Sequence, residues 1–257
     1  MHRRLLIKCL GLFMLAVLVT STPALAQQEL QDGPKSLVIS YRSTAANRPA
    51  FRRYLIANLA PRLRAMQAKG TLAGFRIYYS WYHQPNVWDA MVILHFPTFP
   101  EVAKWNLLEQ TQPGGLDAAG LALADPIASY SSDLTWSRNP DEARVGEVYY
   151  IIPYEYRDAG EYRDYVKGYV LPQFDGWIDD GELTGYELYM NRFQTGAPWD
   201  SLFIQHYRDM PSFGRRAVVT DKVRAKLKDD PNWKAWSDKK AGIRTETENS
   251  VAELIAH

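Results

Sequence analysis

The chain has 257 residues, of which 46% are hydrophobic, 13% aromatic and 23% charged, the composition of a globular protein rather than a disordered or fibrous one. Thirty Lys and Arg against 29 Asp and Glu exclude a surface that is basic overall, and nucleic acid is therefore not an expected partner. The length suffices for one large domain or two small ones, each with its own core.

Arg3, Arg4 and Lys8 precede an apolar run from Leu10 to Thr20, and Ala24-Leu25-Ala26 supplies a small-x-small pattern. Residues 1–26 therefore read as a secretory signal peptide cut before Gln27, and the expected location is the periplasm or the cell exterior. The apolar run is shorter than the roughly 20 residues that a membrane span needs, so no stable insertion is expected after cleavage. Cleavage would leave 27 basic and 29 acidic residues and remove Cys9, the single cysteine. The exported chain would then have no disulfide, thiol nucleophile or thiolate metal site.

From there the chain repeats itself. A shift of 111 residues aligns Phe51–Pro100 with Tyr162–Pro211 without a gap and gives 12 identical pairs in 50 positions, against roughly 3 expected from average composition. Among them are Pro61/Pro172, Gly70/Gly181, Gly74/Gly185, Tyr78/Tyr189, Trp88/Trp199, Asp89/Asp200 and His95/His206. A β-rich run opens each half, Leu37–Arg42 and Glu147–Tyr156. Helical stretches follow over Pro49–Lys69 and Gly160–Asp180, where Pro61 and Pro172 should kink or split the helix. Gly70 and Gly181 stand where a helix end needs a left-handed residue. Strands are expected over Gly74–Tyr82 and Tyr186–Phe193, then over Trp88–Phe96 and Trp199–Tyr207, with turns at Gln84-Pro85-Asn86 and Gly196-Ala197-Pro198 between them. Second helices begin near Pro100 and Pro211, and closing strands fall at Ser129–Ser137 and Ile243–Ala252. The order β-α-β-β-α-β is a split βαβ, ferredoxin-like unit. The expected organisation is α+β: unit 1 over 35–138, a linker over 139–145 that includes Asn139-Pro140-Asp141-Glu142, and unit 2 over 146–257.

Two such units, each with Gly-x-Leu-x-Gly before its second strand (Gly70 to Gly74, Gly181 to Gly185), resemble the dimeric α/β barrel superfamily. The resemblance implies two facing sheets that enclose a barrel, here built within one chain. Its members include cofactor-free monooxygenases, lyases and dehydratases, stress-responsive proteins, and haem enzymes of the chlorite dismutase and dye-decolourising peroxidase types. The haem members place an axial histidine on a helix of the second unit, and the helical stretches Gly160–Asp180 and Pro211–Lys228 contain none.

Strand alternation puts Asp89, Met91, Ile93 and His95 on one face, and Arg76, Tyr78, Ser80 and Tyr82 on another, matched by Glu187, Tyr189, Asn191 and Phe193 in the second half. Asp200, Leu202, Ile204 and His206 complete this mixed set, which is expected to line a cavity between the sheets. The apolar faces, Phe75/Ile77/Tyr79/Trp81 and Trp88/Val92/Leu94/Phe96, should pack on helices. Within the cavity, His206 or His95 would be the general acid or base and Tyr189 or Tyr78 its orienting partner, while inherited packing alone would also explain the matched histidines. Arg76 would hold an acidic or enolic oxygen beside Glu187 and Asn191, and Trp88 and Trp199 would either stack on a ligand or close the barrel end. His83, His95, His206 and His257 show no metal-ligand spacing, and no phosphate loop or nucleotide fingerprint occurs.

The leading expectation is thus cofactor-independent acid–base chemistry, of monooxygenase, lyase or dehydratase type, on a small organic molecule, aromatic ones included. A non-catalytic periplasmic binding or stress-related protein and a haem peroxidase or chlorite dismutase-like enzyme are the alternatives. Exposed sheet edges leave self-association open.

Overall fold

In each half, aromatic and β-branched runs form four main strands, and amphipathic segments cross between them as helices. The computed structural model describes residues 35–193 and 198–257; the expected signal peptide, residues 1–26, and Gly196 and Ala197 of the second turn lie outside the described residues. The first half comprises β1 (Lys35–Ser43), α1 (Arg48–Tyr54), α2 (Ala60–Ala68), β2 (Gly74–Ser80), β3 (Ala90–Phe96), α3 (Phe99–Glu109), α4 (Ala118–Leu121) and β4 (Ala124–Arg138). The second comprises β5 (Val148–Tyr156), α5 (Ala159–Tyr165), α6 (Leu171–Asp179), β6 (Leu183–Asn191), β7 (Ser201–Tyr207), α7 (Met210–Gly214), α8 (Arg216–Leu227), α9 (Pro231–Ile243), β8 (Arg244–Glu246) and β9 (Ser250–Ala256).

The repeated prolines neither break nor sharply split their helices. α1 and α2 are joined by a π-helical turn, Leu55–Leu59, and α5 and α6 by another, Val166–Val170, with Pro61 and Pro172 in the first turn of the segment that follows. A proline ring removes one amide donor and crowds the preceding turn; widening that turn accommodates both effects while the chain stays helical. Gly70 and Gly181 end these helices at φ 74° and 75°, the left-handed conformation a helix exit uses.

The strands of the first half hydrogen-bond in the order β4-β1-β3-β2 and those of the second in the order β6-β7-β5-β9, all pairs antiparallel. Two further pairings, β2 with β9 and β4 with β6, join the sheets edge to edge. The result is a closed eight-stranded barrel, with β8 lying along the end of β5 beyond β9. Closure satisfies the edges that open sheets would expose.

Three apolar clusters follow from this geometry. Phe75, Ile77, Tyr79, Val92, Leu94 and Phe96 face the helices of the first half, as strand alternation predicts. The second half has a matching helix-side core around Tyr165, Phe174, Leu188 and Phe203. The third cluster fills the barrel interior with Val38, Tyr78, Ile93, Tyr149, Tyr189 and Ile204. Trp88 departs from expectation: it packs on the interior cluster rather than on helices, and Trp81 packs on the second half's helix-side core.

The chain ends of each unit also differ from the expected pattern. β4 runs through all of Ala124–Arg138, longer than the expected Ser129–Ser137, because its second half pairs with β6. The expected strand Ile243–Ala252 is displaced. α9 continues to Ile243, and the polar run from Thr245 to Asn249 interrupts the alternation before β9 begins at Ser250. The charged stretch Asp221–Lys240 forms parts of α8 and α9, which bury Val223 and Trp233 against the second core.

Candidate functional site

The interior is a plug with a mouth at each end rather than one cavity. Tyr78, Tyr149, Tyr189, Ile93 and Ile204 are buried across its middle. One mouth, a cavity of about 350 Å³, opens where β3 and β7 begin and is lined by Trp88, Met91, Tyr130, Trp199 and Leu202. The other, of about 340 Å³, opens where β2 begins and β3 ends, and is lined by Arg76, His95, Leu134, Pro140, Glu187 and His257. The substrate-contacting residues expected together are therefore divided, with Arg76 and Glu187 at the polar mouth and Trp88 and Trp199 at the aromatic one.

Glu187 is the centre of the polar cluster. Arg76 Nε donates to its Oε2 and Nη2 to its Oε1, both at 2.9 Å, and Nη2 also donates to the Pro140 carbonyl at 2.8 Å. The Tyr189 hydroxyl donates to Oε1 at 3.2 Å, and that of Tyr78 approaches Oε2 at 3.5 Å. His206 Nε2 lies 3.6 Å from Oε2. Arg76 and Glu187 occupy matching places in the two halves, so the pair sits where the halves meet. Burial pushes the Glu187 carboxyl up, but His206 and the paired Arg76 guanidinium outweigh it and hold the group well below the usual carboxylate range. Burial, reinforced by the Glu187 charge, holds the Tyr78 and Tyr189 hydroxyls well above the usual phenol range.

The two histidines have different surroundings despite their equivalent positions. His95 borders the polar mouth. Its Nδ1 lies 3.0 Å from Ser36 Oγ, on the residue facing it in the β1–β3 register, and its Nε2 lies 3.4 Å from the Tyr189 hydroxyl. The rings of His95 and Tyr189 stack at 5.9 Å. Burial lowers the imidazole to about 4, with Glu187 opposing and Arg76 adding to the shift, so His95 is neutral at physiological pH. His206 is fully buried, its ring tilted against Tyr149 at 4.9 Å, and neither ring nitrogen makes a hydrogen bond. It borders neither mouth, which takes it out of the role of acid or base toward a ligand.

Other expected residues do structural work. Asn191, at the end of β6, accepts from Ser132 Oγ at 3.0 Å and donates to the Trp199 carbonyl, so it ties strand ends rather than lining the polar mouth. Asp89 accepts from the Ser43 amide at 2.7 Å and pairs with Arg48, and Asp200 accepts from the Tyr156 amide at 3.0 Å. Each repeated aspartate thus clamps the last residue of its unit's first strand. Tyr82 and Phe193, expected on the cavity face, lie beyond the strand ends and are exposed. Ser36, Tyr130 and Tyr149 carry no signal in the sequence, and His257 stands out there only as a histidine without metal-ligand spacing. Ser36 and Tyr149 acquire their places through strand pairing, and Tyr130 through its ring contact with Trp199 at 5.2 Å.

No protein-family model and no curated relative matches the sequence. Solved structures do match in fold. An anthrone oxidase-like protein is 9% identical with a TM-score of 0.52, covering 88% of this chain and 93% of that one. A haem-binding protein from Thermus thermophilus is 13% identical with a TM-score of 0.50, covering 86% and 91%. A chlorite dismutase variant from Candidatus Nitrospira defluvii is 7% identical with a TM-score of 0.51, covering 89% and 93%.

The haem-binding neighbour raises the question of haem, which needs an axial donor on an open face. The helices α5 to α9 carry no histidine. His206 is enclosed and His83 pairs with Asp89 through Nδ1, while His95 is held by Ser36 at Nδ1 and only weakly engaged by Tyr189 at Nε2. The second-half helices and the enclosed His206 thus offer no axial donor. Among the described residues there is likewise no cluster of three or more His, Cys, Asp or Glu that could hold a metal ion. What the fold matches establish is architecture: the chain has the fold of the dimeric α/β barrel superfamily, with both sheets of the barrel supplied by one polypeptide.

Proposed function

We propose that the chain is an exported enzyme that performs acid–base chemistry on a small enolisable or phenolic organic molecule at the polar mouth, with His95 as the proton acceptor. The carrying observation is the placement of the His95 imidazole at the edge of a cavity of about 340 Å³, where burial lowers its pKa to about 4 and favours the neutral form. Ser36 at Nδ1 fixes the ring, and the long 3.4 Å contact leaves Nε2 weakly engaged by Tyr189. A substrate C–H or O–H proton would pass to Nε2. The resulting enolate oxygen would lie beside the Arg76–Glu187 pair, where the guanidinium, already shared with Glu187, adds only a secondary attraction. Export rests on the basic, apolar and small-x-small pattern of residues 3–26.

An anthrone is a suitable first probe, since its ring methylene is acidic and one structural neighbour carries that substrate in its name. Exchange of that methylene hydrogen with heavy water, followed by proton NMR, reports proton abstraction alone and needs no oxidant. The purified chain should accelerate exchange, and His95→Gln should remove about two or more orders of magnitude of that acceleration. Catalysis unchanged in His95→Gln would refute the assignment. Retained binding without accelerated exchange in the parent chain would favour the non-catalytic binding protein.

A further inference from the structure

The aromatic mouth lies at the opposite end of the barrel from His95 and plays no part in the proposed chemistry. Its walls are mainly aromatic and aliphatic, with Trp88, Tyr130 and Trp199 beside Met91, Ile127 and Leu202, and Ser40, Asn86 and Thr247 as the neutral polar side chains. Tyr130 meets Trp199 edge to face, with centroids 5.2 Å apart and rings inclined at 71°, an arrangement that aromatic pairs favour. Trp88 and Trp199 come from matching places at the start of β3 and β7, so the two halves contribute one indole each. Among the described lining residues, Glu248 is the only charged side chain, and it is exposed at the rim; no Lys, Arg or His takes part.

These features select for charge as well as shape. The faces of indole and phenol rings carry negative electrostatic potential and attract cations, most strongly when the cation is already poorly hydrated. A carboxylate at the rim adds attraction of the same sign. An organic anion would meet neither a positive side chain nor a favourable ring face. An ordinary metal or ammonium ion would lose hydration that the apolar walls cannot replace.

We propose that this mouth is a second binding site that takes a flat organic cation, of the class of a quaternised nitrogen heterocycle, against the aromatic lining of Trp88, Tyr130 and Trp199, with Glu248 as the matching charge. The site is independent of the chemistry assigned to His95, and either assignment can fail without the other.

Equilibrium dialysis of the purified chain against three probes of equal size tests the proposal: N-methylquinolinium, neutral 1-methylnaphthalene and anionic 1-naphthoate. The cation should bind at least about fivefold more tightly than either of the others. Glu248→Gln, at an exposed position where folding is not at stake, should weaken cation binding about threefold and leave the neutral probe unchanged. Trp88→Ala should weaken the cation further, by about tenfold, in protein shown to be folded by circular dichroism. His95→Gln, at the other mouth, should bind the cation as the parent does. The proposal is overturned if the cation does not bind, if naphthoate binds as tightly, or if Glu248→Gln and Trp88→Ala both retain parental cation affinity.

Discussion

Among single residues, two histidines at matching sequence positions have different surroundings. His95 and His206 match under the 111-residue shift, and strand alternation places both on the barrel's inner face. What separates them is the company brought by other strands: Ser36 from β1 for His95, Tyr149 from β5 for His206. Those neighbours depend on pairing register, which a single sequence does not display. The pairing of Arg76 with Glu187 was hidden for the same reason. The two were recognisable as matching positions, yet their direct ion pair displaces Arg76 from the role of a free anion contact.

The low affinity of His95 for protons carries a consequence for stability. An unfolded histidine takes a proton below about 6.5, whereas the folded imidazole resists until about 4. Between those values the unfolded chain binds more protons, so stability falls as pH is lowered, by up to about 3 kcal/mol from this residue. Glu187, held low when folded, adds a further loss below the ordinary carboxylate range. Urea denaturation of the parent and of His95→Asn at pH 7 and pH 4.5 should show a smaller acid loss in the variant. Equal losses would mean that another group controls this window. Proton abstraction should likewise hold its rate down to pH 5 and decline near 4, because the base must be neutral to act; a decline centred at 6.5 would contradict the desolvated environment.

At the scale of elements, local chemistry was legible where one residue type is required. Gly70 and Gly181 ended their helices in the left-handed conformation, and the prolines at 100 and 211 stand in first helical turns. The π-helical turns before Pro61 and Pro172 were not legible, since a kink and a widened turn are alternative responses to the same missing amide. Gly185 shows a second constraint, of space rather than dihedral angle. A Cβ there would lie 2.8 Å from the carbonyl oxygens of Arg138 and Asn139 and 3.3 Å from His206 Nδ1. Gly185→Ala should therefore cost about 1–3 kcal/mol, read as a lowered midpoint in thermal unfolding. Gly74, whose added Cβ would meet nothing nearer than His95 Cδ2 at 3.9 Å, should tolerate alanine with less loss. Equal costs at the two positions would argue against the close approach.

At the scale of the molecule, the repeated β-α-β-β-α-β order announced two sheets, but not that β2 would find β9 and β4 would find β6. These pairings join elements far apart in sequence and are decided by the closing of the barrel. Filling of its centre by Tyr78, Tyr149 and Tyr189 then turns one expected cavity into two mouths. The Arg76–Glu187 pair links the halves across this interior. Glu187→Ala would strand a largely buried guanidinium and should destabilise the chain by about 3–5 kcal/mol. Arg76→Met with Glu187→Leu should recover much of that loss in urea denaturation. A double variant as unstable as Glu187→Ala alone would show that the pair is not the coupling. The central claim, that chemistry resides at the polar mouth, is tested most directly by a crystal structure of the chain with bound anthrone. The ligand should lie at that mouth with its reacting carbon beside His95 Nε2. Ligand density confined to the mouth of Trp88 and Trp199 would contradict it.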